Sequence, residues 1–384
     1  MQQRYCTNPK RRNGLSCDFA EKLISLSRQS IGLSDPNPQV GCIIVGSDGE
    51  TLSAGHTQQV GGPHAEIMAL QEAQARGHLV LGSTAYVTLE PCSHHGRTPP
   101  CCDALIKAGI ARVVVGQQDP NPLVAGRGIA RLRAAGIEVT VLDPNDPAAI
   151  ATRELNIGFF SRMIRRTPWV RMKMAASLDG TTALANGQSQ WITSSEARAD
   201  GHAWRARASA VLTGIGTVLE DNPRLDVRDM PTPRQPHVVV VDSRLQTPLD
   251  ARLFIAGRAC IIYGAVENEA KKAALEASGA TVVMLPDVNG KVDLAAMMQD
   301  LGRREVNELH VEAGSKLNGS LIRAGLVDEF LLYLAPKLLG PGQGMAAFGP
   351  LASLAGAVAL QFQSVDRVGP DLRIVARAAG RDQF

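Results

Sequence analysis

His64-Ala65-Glu66 precedes the stretch Pro91-Cys92-Ser93-His94-His95-Gly96-Arg97-Thr98-Pro99-Pro100-Cys101 in the first half of this chain. Zinc in proteins takes imidazole and thiolate ligands in a tetrahedral arrangement, and a catalytic zinc keeps one position open. One histidine with two cysteines leaves such a position. A proline directly before His64 and another before Cys101 predict that both residues begin helices, where the positive end of the helix dipole favours a thiolate. The pattern therefore predicts about one zinc ion per chain, bound by His64, Cys92 and Cys101.

Glu66 follows the predicted ligand His64 closely, near the metal without having to bind it. A carboxylate in that place can take a proton from a water molecule and return it to a leaving amine. The arrangement matches the H-x-E…P-C-x-x-C pattern of zinc nucleobase deaminases, with one departure. Eight residues, from Ser93 to Pro100, separate the two cysteines instead of two. A structural zinc site, closed by His94 or His95 as a fourth ligand, is the alternative.

The composition is that of a globular protein close to electrical balance. Apolar residues make up 45% and charged residues 20% of the 384 residues, which is typical of a folded chain with two domains. A net charge of +3 without a dense basic stripe argues against a nucleic-acid partner. No apolar run is long enough to predict a membrane span. The basic cluster of Arg4, Lys10, Arg11 and Arg12 is not followed by the apolar segment of a signal peptide.

The seven cysteines favour a cytoplasmic protein. An odd number scattered over a long chain suits free thiols and metal ligands better than a disulfide framework. Besides the two predicted ligands, we interpret Cys102 as a packing residue. The other four are ordinary thiols in this interpretation: Cys6, Cys17, Cys42 and Cys260.

Short apolar runs alternate with helical patterns in both halves of the chain. In the first half this indicates a layered α/β domain with a largely parallel sheet. The turn-rich stretch Asp143–Pro147 interrupts the pattern, and a second series of strands begins after Trp169. We therefore expect an N-terminal tail, a first domain, a linker and a second domain at residues 1–15, 16–150, 151–168 and 169–384.

The second half lacks the G-x-G-x-x-G pattern of a Rossmann dinucleotide site. Gly314 to Ser320 has the glycine spacing of a P-loop, but Ser320 stands where that loop requires lysine, so we exclude nucleoside triphosphate binding. The turn Glu312-Ala313-Gly314 before a predicted helix still provides backbone N–H groups that can bind a pyrophosphate. A plain strand–turn–helix corner would explain these residues equally well.

Seven longer motifs resemble those of the bacterial bifunctional riboflavin biosynthesis deaminase–reductases, a family in which the long cysteine spacing is normal. The motifs are Asn37–Gly41, Ala85–Cys101, Gln118–Gly128, Met174–Gly180, Ser189–Ser194, Thr217–Pro223 and Val311–Gly314. The resemblance extends over nearly the whole chain. It implies an α/β protein with an N-terminal cytidine-deaminase-like α/β/α layer domain and a C-terminal dihydrofolate-reductase-like α/β domain.

For the first domain, the resemblance implies zinc-dependent hydrolytic deamination of 2,5-diamino-6-ribosylamino-4(3H)-pyrimidinone 5′-phosphate. His64, Cys92 and Cys101 would bind the zinc, and Glu66 would be the catalytic residue that moves the proton. The residues expected to bind this small-molecule substrate are Asn37, His56, Arg97 and Asp119. His95 is an alternative to Arg97 for the phosphate.

For the second domain, the resemblance implies NADPH-dependent reduction of the ribosyl side chain to ribityl, which gives 5-amino-6-ribitylaminouracil 5′-phosphate. The residues expected to face NADPH are Ala175, Trp191, Thr217, Asp221, Ser243, Gly314, Ser315, Lys316, Leu317, Asn318, Gly319 and Ser320. Those expected to face the substrate are Ser189, Arg205, Leu225, Arg228 and Glu312, with the two arginines near its phosphate. A place in the core is the alternative for Leu225 and for Trp191. Lys173 can assist the carbonyl or iminium, or it is only a charge at a strand edge. A homodimer built on this half is implied.

The choice between NADPH and NADH depends on the end of the apolar run His237–Val241. Asp242 follows this run, and an acidic residue at a strand end often favours the 2′-hydroxyl of NAD. Arg244 would favour the 2′-phosphate of NADP instead. Strand alternation puts Asp242 and Arg244 on one side and Ser243 on the other. The resemblance assigns Ser243 to the cofactor and favours NADPH.

Two other functions remain possible from the sequence. The first is a nucleoside or tRNA deaminase with an unrelated C-terminal domain, which the near-neutral charge, the histidine-bearing insert and the motifs of the second half disfavour. The second is a binding module stabilised by zinc, which predicts a closed four-ligand site and gives Glu66 no role.

Overall fold

The computed structural model describes residues 17–94 and 99–384, which divide into two compact units on either side of the Arg165–Arg166 bond. The predicted linker at 151–168 coincides in part with two helices of the first unit. These helices bury Ile157, Phe159 and Phe160, so the segment contributes to the first core. The limits of the two domains stay a prediction.

The first unit is a sheet covered by helices. Its described strands are β1 (Gly41–Val45), β2 (Thr51–His56), β3 (Thr84–Leu89), β4 (Arg112–Gln117) and β5 (Glu138–Val141). Its described helices are α1 (Cys17–Arg28), α2 (Ala65–Ala75), α3 (Cys101–Lys107), α4 (Arg127–Ala134), α5 (Pro147–Leu155) and α6 (Ile157–Arg165).

The sheet of the first unit is mixed rather than largely parallel, with strand order β2-β1-β3-β4-β5. β1 pairs antiparallel with both β2 and β3, whereas β3, β4 and β5 run parallel. The prediction of a largely parallel sheet is wrong because β2 was missed. Its sequence has few large apolar residues, and its residues alternate between buried and more exposed positions, as in an edge strand. The parallel strands β3 and β4 end at the same edge of the sheet, where ligand sites of α/β proteins form.

The second unit is built on a longer sheet. Its described strands are β6 (Trp169–Ser177), β7 (Thr181–Leu184), β8 (Ala210–Gly214), β9 (His237–Val241), β10 (Cys260–Gly264), β11 (Ala280–Met284), β12 (Glu308–Val311), β13 (Glu329–Ala335), β14 (Gly342–Gly344), β15 (Leu360–Val368) and β16 (Asp371–Ala378). Its described helices are α7 (Ser195–Arg207), α8 (Ile215–Asp221), α9 (Glu269–Ala277), α10 (Leu294–Arg303) and α11 (Ser315–Arg323).

The central parallel strands of the second unit are buried on both faces. The order in the large sheet is β11-β10-β9-β8-β12-β6-β13-β16-β15, parallel from β11 to β13 and antiparallel beyond. In β9, Val239 joins the apolar cluster on one face while Val238 and Val240 join the cluster on the other. This explains the continuous run of β-branched residues, since a parallel sheet between two layers of helices needs apolar side chains on both sides. Within the described ranges, no helix has the length and apolar character needed to cross a membrane.

Candidate metal centre and reductase site

Three donor atoms lie close together in the first unit, namely His64 Nδ1 and the Sγ atoms of Cys92 and Cys101. The nitrogen is 3.6 Å from the Cys92 sulfur and 3.4 Å from the Cys101 sulfur, and the three ligand atoms lie within 4.8 Å of one another. Zinc bonds of about 2.0–2.1 Å to nitrogen and about 2.3 Å to sulfur hold tetrahedral ligands roughly 3.5 Å apart. Both the spacing and the chemistry of these donors therefore fit zinc. The exposed His94 does not belong to the group.

The local backbone explains how the three ligands meet. Cys92 follows the end of β3, while His64 caps α2 in an extended conformation with φ −77° and ψ 169°. Cys101 is the first residue of α3, directly after Pro100. The predicted helix starts at His64 and Cys101 are therefore confirmed. The backbone N–H of Cys101 also donates a hydrogen bond to the Cys92 sulfur at 3.3 Å, which favours a thiolate there.

The pKa values of the two cysteines are shifted in opposite directions. The pKa of Cys92 is lowered to about 4. The hydrogen bond from the Cys101 thiol is the main cause, a hydrogen bond with His64 also lowers the pKa, and burial opposes both. The pKa of Cys101 is raised by the hydrogen bond that it gives to Cys92 and then by burial. One thiolate is therefore present at neutral pH, and thiolates are the form in which cysteine binds a metal.

Glu66 lies in the first turn of α2 and is buried beside the ligands. Burial raises the pKa of its carboxyl, and the negative charge of Cys92 raises it further, while His64 lowers it. A carboxyl group with a raised pKa accepts a proton more readily than an ordinary carboxylate, as a general base must. The geometry therefore suits the proton transfer predicted for Glu66.

The second unit contains a partly buried ion pair between Arg205 of α7 and Glu312, which follows β12. The guanidinium binds both carboxylate oxygens, with Nε 2.7 Å from Oε1 and Nη2 2.9 Å from Oε2. Burial raises the pKa of Glu312, but the charges of Arg205 and Lys173 outweigh it and leave this pKa lowered. Two residues predicted to face the substrate are thus in direct contact, and the positive charge of Lys173 lowers the pKa of one of them, Glu312.

Side chains from several elements hold the backbone of residues 224–228. Arg205 Nη1 donates to the carbonyl of Asp226 at 2.5 Å, and Arg258 donates to those of Arg224 and Leu225. Gln235 binds both backbone groups of Val227, at 2.7 and 2.9 Å. Asp226 in turn pairs with Arg228 at 2.8 Å. Hydrogen bonds from side chains outside the loop therefore hold the loop that carries Leu225 and Arg228.

Two sequence families match the chain, one in each unit. The zinc-binding region of cytidine and deoxycytidylate deaminases matches residues 16–117, and the RibD C-terminal domain matches residues 168–374. The riboflavin biosynthesis protein RibD of Escherichia coli is 42% identical over 363 residues, covering 92% of this chain and 97% of that protein. The chain belongs to the RibD family.

Solved RibD-family structures agree with this assignment. RibD from Acinetobacter baumannii matches with a TM-score of 0.84 and 36% identity, covering 94% of this chain and 98% of that chain. A diaminohydroxyphosphoribosylaminopyrimidine deaminase/5-amino-6-(5-phosphoribosylamino)uracil reductase from Thermotoga maritima matches with a TM-score of 0.82 and 31% identity, with the same coverage. As a RibD-family enzyme of riboflavin biosynthesis, the chain combines a zinc-dependent deaminase with an NADPH-dependent reductase.

The other residues predicted for the deaminase substrate have different surroundings. Asp119 follows β4 and is buried, and burial raises its pKa to about 7. His56 ends β2, half-buried, with its Nδ1 atom 3.3 Å from Ser30 Oγ. Asn37 is half-buried, and its backbone N–H bonds to the carbonyl of Ser34. Arg97 and His95 lie outside the described residues.

The residues predicted to bind NADPH in this RibD-family reductase lie partly at the start of α11. Gly314 caps this helix, and a Cβ atom added there would lie 3.9 Å from Thr217 Oγ1, so these two predicted residues are neighbours. Leu317 lies against Gly214, and Lys316 is exposed.

Two later residues of α11 contact the protein itself. Asn318 is buried and donates to the carbonyl of Met345 at 3.0 Å. Gly319 is so close to the carbonyl of Ala347 that an added Cβ atom would lie only 2.1 Å from its oxygen.

The remaining predicted residues of the reductase differ in exposure. Trp191 is 63% exposed, with the Arg198 guanidinium 4.4 Å from its ring centre, and Ser189 and Asp221 are also exposed. Ala175 is half-buried on β6. Ser243 Oγ accepts the N–H of Val292 at 3.3 Å.

Asp242 is buried and bound to the turn that follows β9. Its Oδ2 atom accepts both the N–H and the hydroxyl of Thr247, at 2.7 and 2.8 Å, and the residue is fully buried. Full burial and the two bonds to Thr247 disfavour a contact between this carboxylate and a ribose hydroxyl. The influence of Asp242 and Arg244 on the choice of cofactor stays a prediction.

Sequence reasoning missed residues that act on the backbone. Arg258 and Gln235 fix the loop at 224–228, and Glu90 binds four backbone N–H groups beside the metal ligands. Of these three residues, only Glu90 could have been found from the sequence. An acidic residue between a buried strand and a predicted ligand is expected to be buried and hydrogen-bonded. Arg258 and Gln235 lie far along the chain from any motif.

Proposed function

We propose that the first unit deaminates 2,5-diamino-6-ribosylamino-4(3H)-pyrimidinone 5′-phosphate and that the second reduces the ribosyl chain of the product to ribityl. The product would be 5-amino-6-ribitylaminouracil 5′-phosphate. The observation that carries this proposal is the group of His64, Cys92 and Cys101 with the buried Glu66 beside it, in a chain that continues into a RibD reductase domain.

The deaminase ligands are His64, Cys92 and Cys101, and this leaves one position of a tetrahedral site for water. Zinc bound by these three residues would supply a water molecule whose pKa is lowered to about 7. Glu66 takes a proton from the attacking water and returns it to the amine that leaves the ring as ammonia. The raised pKa of Glu66 supports this role, since the carboxyl must hold the proton between the two steps.

Four residues bind the pyrimidine and its ribosyl phosphate in this proposal: Asn37, His56, Arg97 and Asp119. The raised pKa of Asp119 means that its carboxyl can carry a proton near neutral pH and donate a hydrogen bond to a ring acceptor. A guanidinium matches the geometry of a phosphate, which favours Arg97 for that group.

In the reductase, Arg205, Arg228 and Glu312 bind the substrate together with Ser189 and Leu225. NADPH supplies the hydride, and the protein supplies position and charge. Arg205 is already held by Glu312, so it binds the substrate from a fixed orientation. The Arg228 side chain is 51% exposed and pairs with Asp226 through Nη1, which leaves its other N–H groups for a phosphate. Lys173 stabilises the negative charge that develops on the carbonyl oxygen when the hydride adds to the adjoining carbon.

NADPH binds along the turn before α11 in this proposal, with Thr217 beside it. The N–H groups at the start of a helix favour a pyrophosphate. The residues assigned to the cofactor are Ala175, Trp191, Thr217, Asp221, Ser243, Gly314, Ser315, Lys316, Leu317, Asn318, Gly319 and Ser320. Asn318 and Gly319 also contact Met345 and Ala347, and these contacts help to shape the turn.

We also propose that the enzyme is a cytoplasmic homodimer in which the β15 edges of two reductase units meet. β15 is the last strand of the large sheet, and Leu360, Phe362 and Val365 on it are 40%, 71% and 55% exposed. An exposed apolar edge strand invites pairing, and a two-fold axis would pair it with its own copy. Sedimentation should give a dimer for the wild type and a monomer for Phe362→Asp; a monomeric wild type would refute the dimer.

The proposed reactions are tested by supplying the pyrimidine phosphate, cytidine and an RNA hairpin in parallel. Ammonia release is expected from the pyrimidine phosphate alone, followed by oxidation of NADPH that depends on the deaminated product. Ammonia release from cytidine or the hairpin at a comparable rate would favour the alternative, a nucleoside or tRNA deaminase.

A further inference from the structure

Glu90 is a buried acid that the mechanism above does not use. It follows β3, directly before Pro91 and the ligand Cys92, and is 4% exposed. Its two carboxylate oxygens accept four backbone N–H groups, all from residues 119–129. A carboxylate has about four sites for hydrogen-bond donors. Glu90 is therefore saturated by this segment and does not bind a substrate.

The four hydrogen bonds connect two parts of the segment. Oε2 accepts the N–H groups of Asp119 at 3.3 Å and Gly126 at 2.9 Å. Oε1 accepts those of Gly128 at 2.9 Å and Ile129 at 3.1 Å, which lie in the first turn of α4 and have no partner within the helix. A negative charge is stabilised at this end of a helix. One side chain thus joins the loop that begins at Asp119 to the start of α4.

The same segment packs closely against the turn that carries Cys92. A Cβ atom added at Gly128 would lie 2.0 Å from the carbonyl oxygen of Pro91, so only glycine fits. Cys102 Sγ bonds to the carbonyls of Pro91 and Gly128, at 3.2 and 3.6 Å. Because these groups are in contact, the position of the segment depends on the position of the ligand turn.

We propose that Glu90 is a positioning residue for deamination, which fixes the segment 119–129 against the metal-ligand turn and so holds Asp119 where the pyrimidine binds. The inference rests on the proposed function, because the position of Asp119 affects catalysis only if the pyrimidine binds in this unit. Glu90 acts through the backbone and touches neither the substrate nor the reacting atoms.

Glu90→Gln tests this role with an almost unchanged shape. A glutamine can still accept hydrogen bonds at one oxygen, but its amide group turns N–H donors toward two of the four backbone N–H groups. Two of the four hydrogen bonds are then lost, and at those two places N–H groups face each other and repel. Glu138→Gln is the matched control, since Glu138 lies on β5 of the same unit with its side chain 69% exposed.

The experiment combines hydrogen exchange with kinetics on the full-length enzyme. In the wild type, the amides of Asp119 and Gly126 should exchange slowly although they lie outside the helices and strands. In Glu90→Gln these two amides should exchange faster, while zinc stays at the wild-type amount. The KM for the pyrimidine should rise about tenfold, the factor expected when the hydrogen bond between Asp119 and the pyrimidine is lost, with a much smaller change in kcat. Reduction of the deaminated intermediate and all properties of Glu138→Gln should stay as in the wild type.

Three results would overturn the inference: rapid exchange at both amides in the wild type, a wild-type KM in Glu90→Gln, or loss of zinc from that variant. Loss of zinc would assign Glu90 to the fold of the ligand turn itself. A wild-type enzyme that releases no ammonia would instead refute the proposed function, and the exchange rates would still test whether Glu90 holds the segment.

Discussion

The buried acids of the two units differ in what surrounds them. In the first unit, burial raises the pKa of Glu66, and it raises that of Asp119 to about 7. In the second unit, Glu308 is equally buried, but the charges of Arg207 and Arg171 lower its pKa to about 2. Glu312 has a lowered pKa for the same reason, since Arg205 binds both of its oxygens.

This difference corresponds to the chemistry of each unit. Hydrolytic deamination moves protons, and acids that hold a proton near neutral pH can do this. Hydride transfer is carried out by the cofactor, and the protein must only position the two reactants. Acids that are permanently charged and bound to arginines fix orientation without exchanging protons. The first unit is thus an acid–base site beside a metal centre, and the second is a site that positions its reactants.

The largest expected effect is that of Glu66→Gln. Removal of a general acid–base group lowers the rate of deamination by about 10²–10⁴-fold. The variant should keep its zinc, because Glu66 is not among the three ligands, and its reductase should be unaffected. Ammonia release and oxidation of NADPH with the deaminated intermediate measure the two activities separately. Equal damage to both would contradict the separation of the two sites.

Arg171→Met tests the paired acids of the second unit. Arg171 lies between Glu308 and Glu329, at 2.7 and 2.5 Å, and all three are buried. Removal of one partner from a buried ion pair costs about 3–5 kcal/mol, and we expect the lower value because Arg207 and Arg377 still bind the two acids.

Tryptophan fluorescence during urea unfolding measures this loss selectively, since Trp169, Trp191 and Trp204 all lie in the second unit. Arg303→Met is the control, because its side chain is 66% exposed and its pair with Asp300 should contribute less than about 1 kcal/mol. An unfolding midpoint of Arg171→Met no lower than that of the control would show that the paired acids are not needed for stability.

A smaller effect is expected from Ser243→Asp, which tests whether residue 243 lies near the 2′-phosphate of NADPH. A carboxylate near the 2′-phosphate should raise the KM for NADPH about tenfold, which corresponds to about 1.4 kcal/mol, and that for NADH much less. Ser243→Asn has nearly the same shape without the charge and should change the two constants equally. If Ser243→Asp also changes both equally, the 2′-phosphate is bound elsewhere.

The deaminase site was predictable because zinc restricts the residue types that can bind it. His64, Cys92 and Cys101 belong to types that few other functions bring together, and the structure groups them as expected. The four bonds of Glu90 were not predictable, since they depend on how residues 119–129 return to the end of β3. The edge strand β2 was missed for a local reason, its lack of a long apolar run.

The reductase site was less accessible to sequence reasoning, because cofactors are bound largely by backbone groups and by shape. The resemblance assigned Gly314 to Ser320 to NADPH as one block. The structure distinguishes members of that block, since Gly314 lies beside Thr217 while Gly319 lies against Ala347. Such distinctions come from contacts between residues far apart in the chain, which no local pattern encodes.

The metal content of three cysteine variants tests the central claim most directly. Cys92→Ser and Cys101→Ser each remove a ligand, whereas Cys102→Ser changes the neighbouring buried cysteine, whose sulfur bonds to two carbonyls. Elemental analysis should find about one zinc per chain in the wild type and in Cys102→Ser and almost none in the other two, with reduction by the second unit unchanged in all of them. Zinc retained in both Cys92→Ser and Cys101→Ser, or a wild-type protein without zinc, would contradict the account.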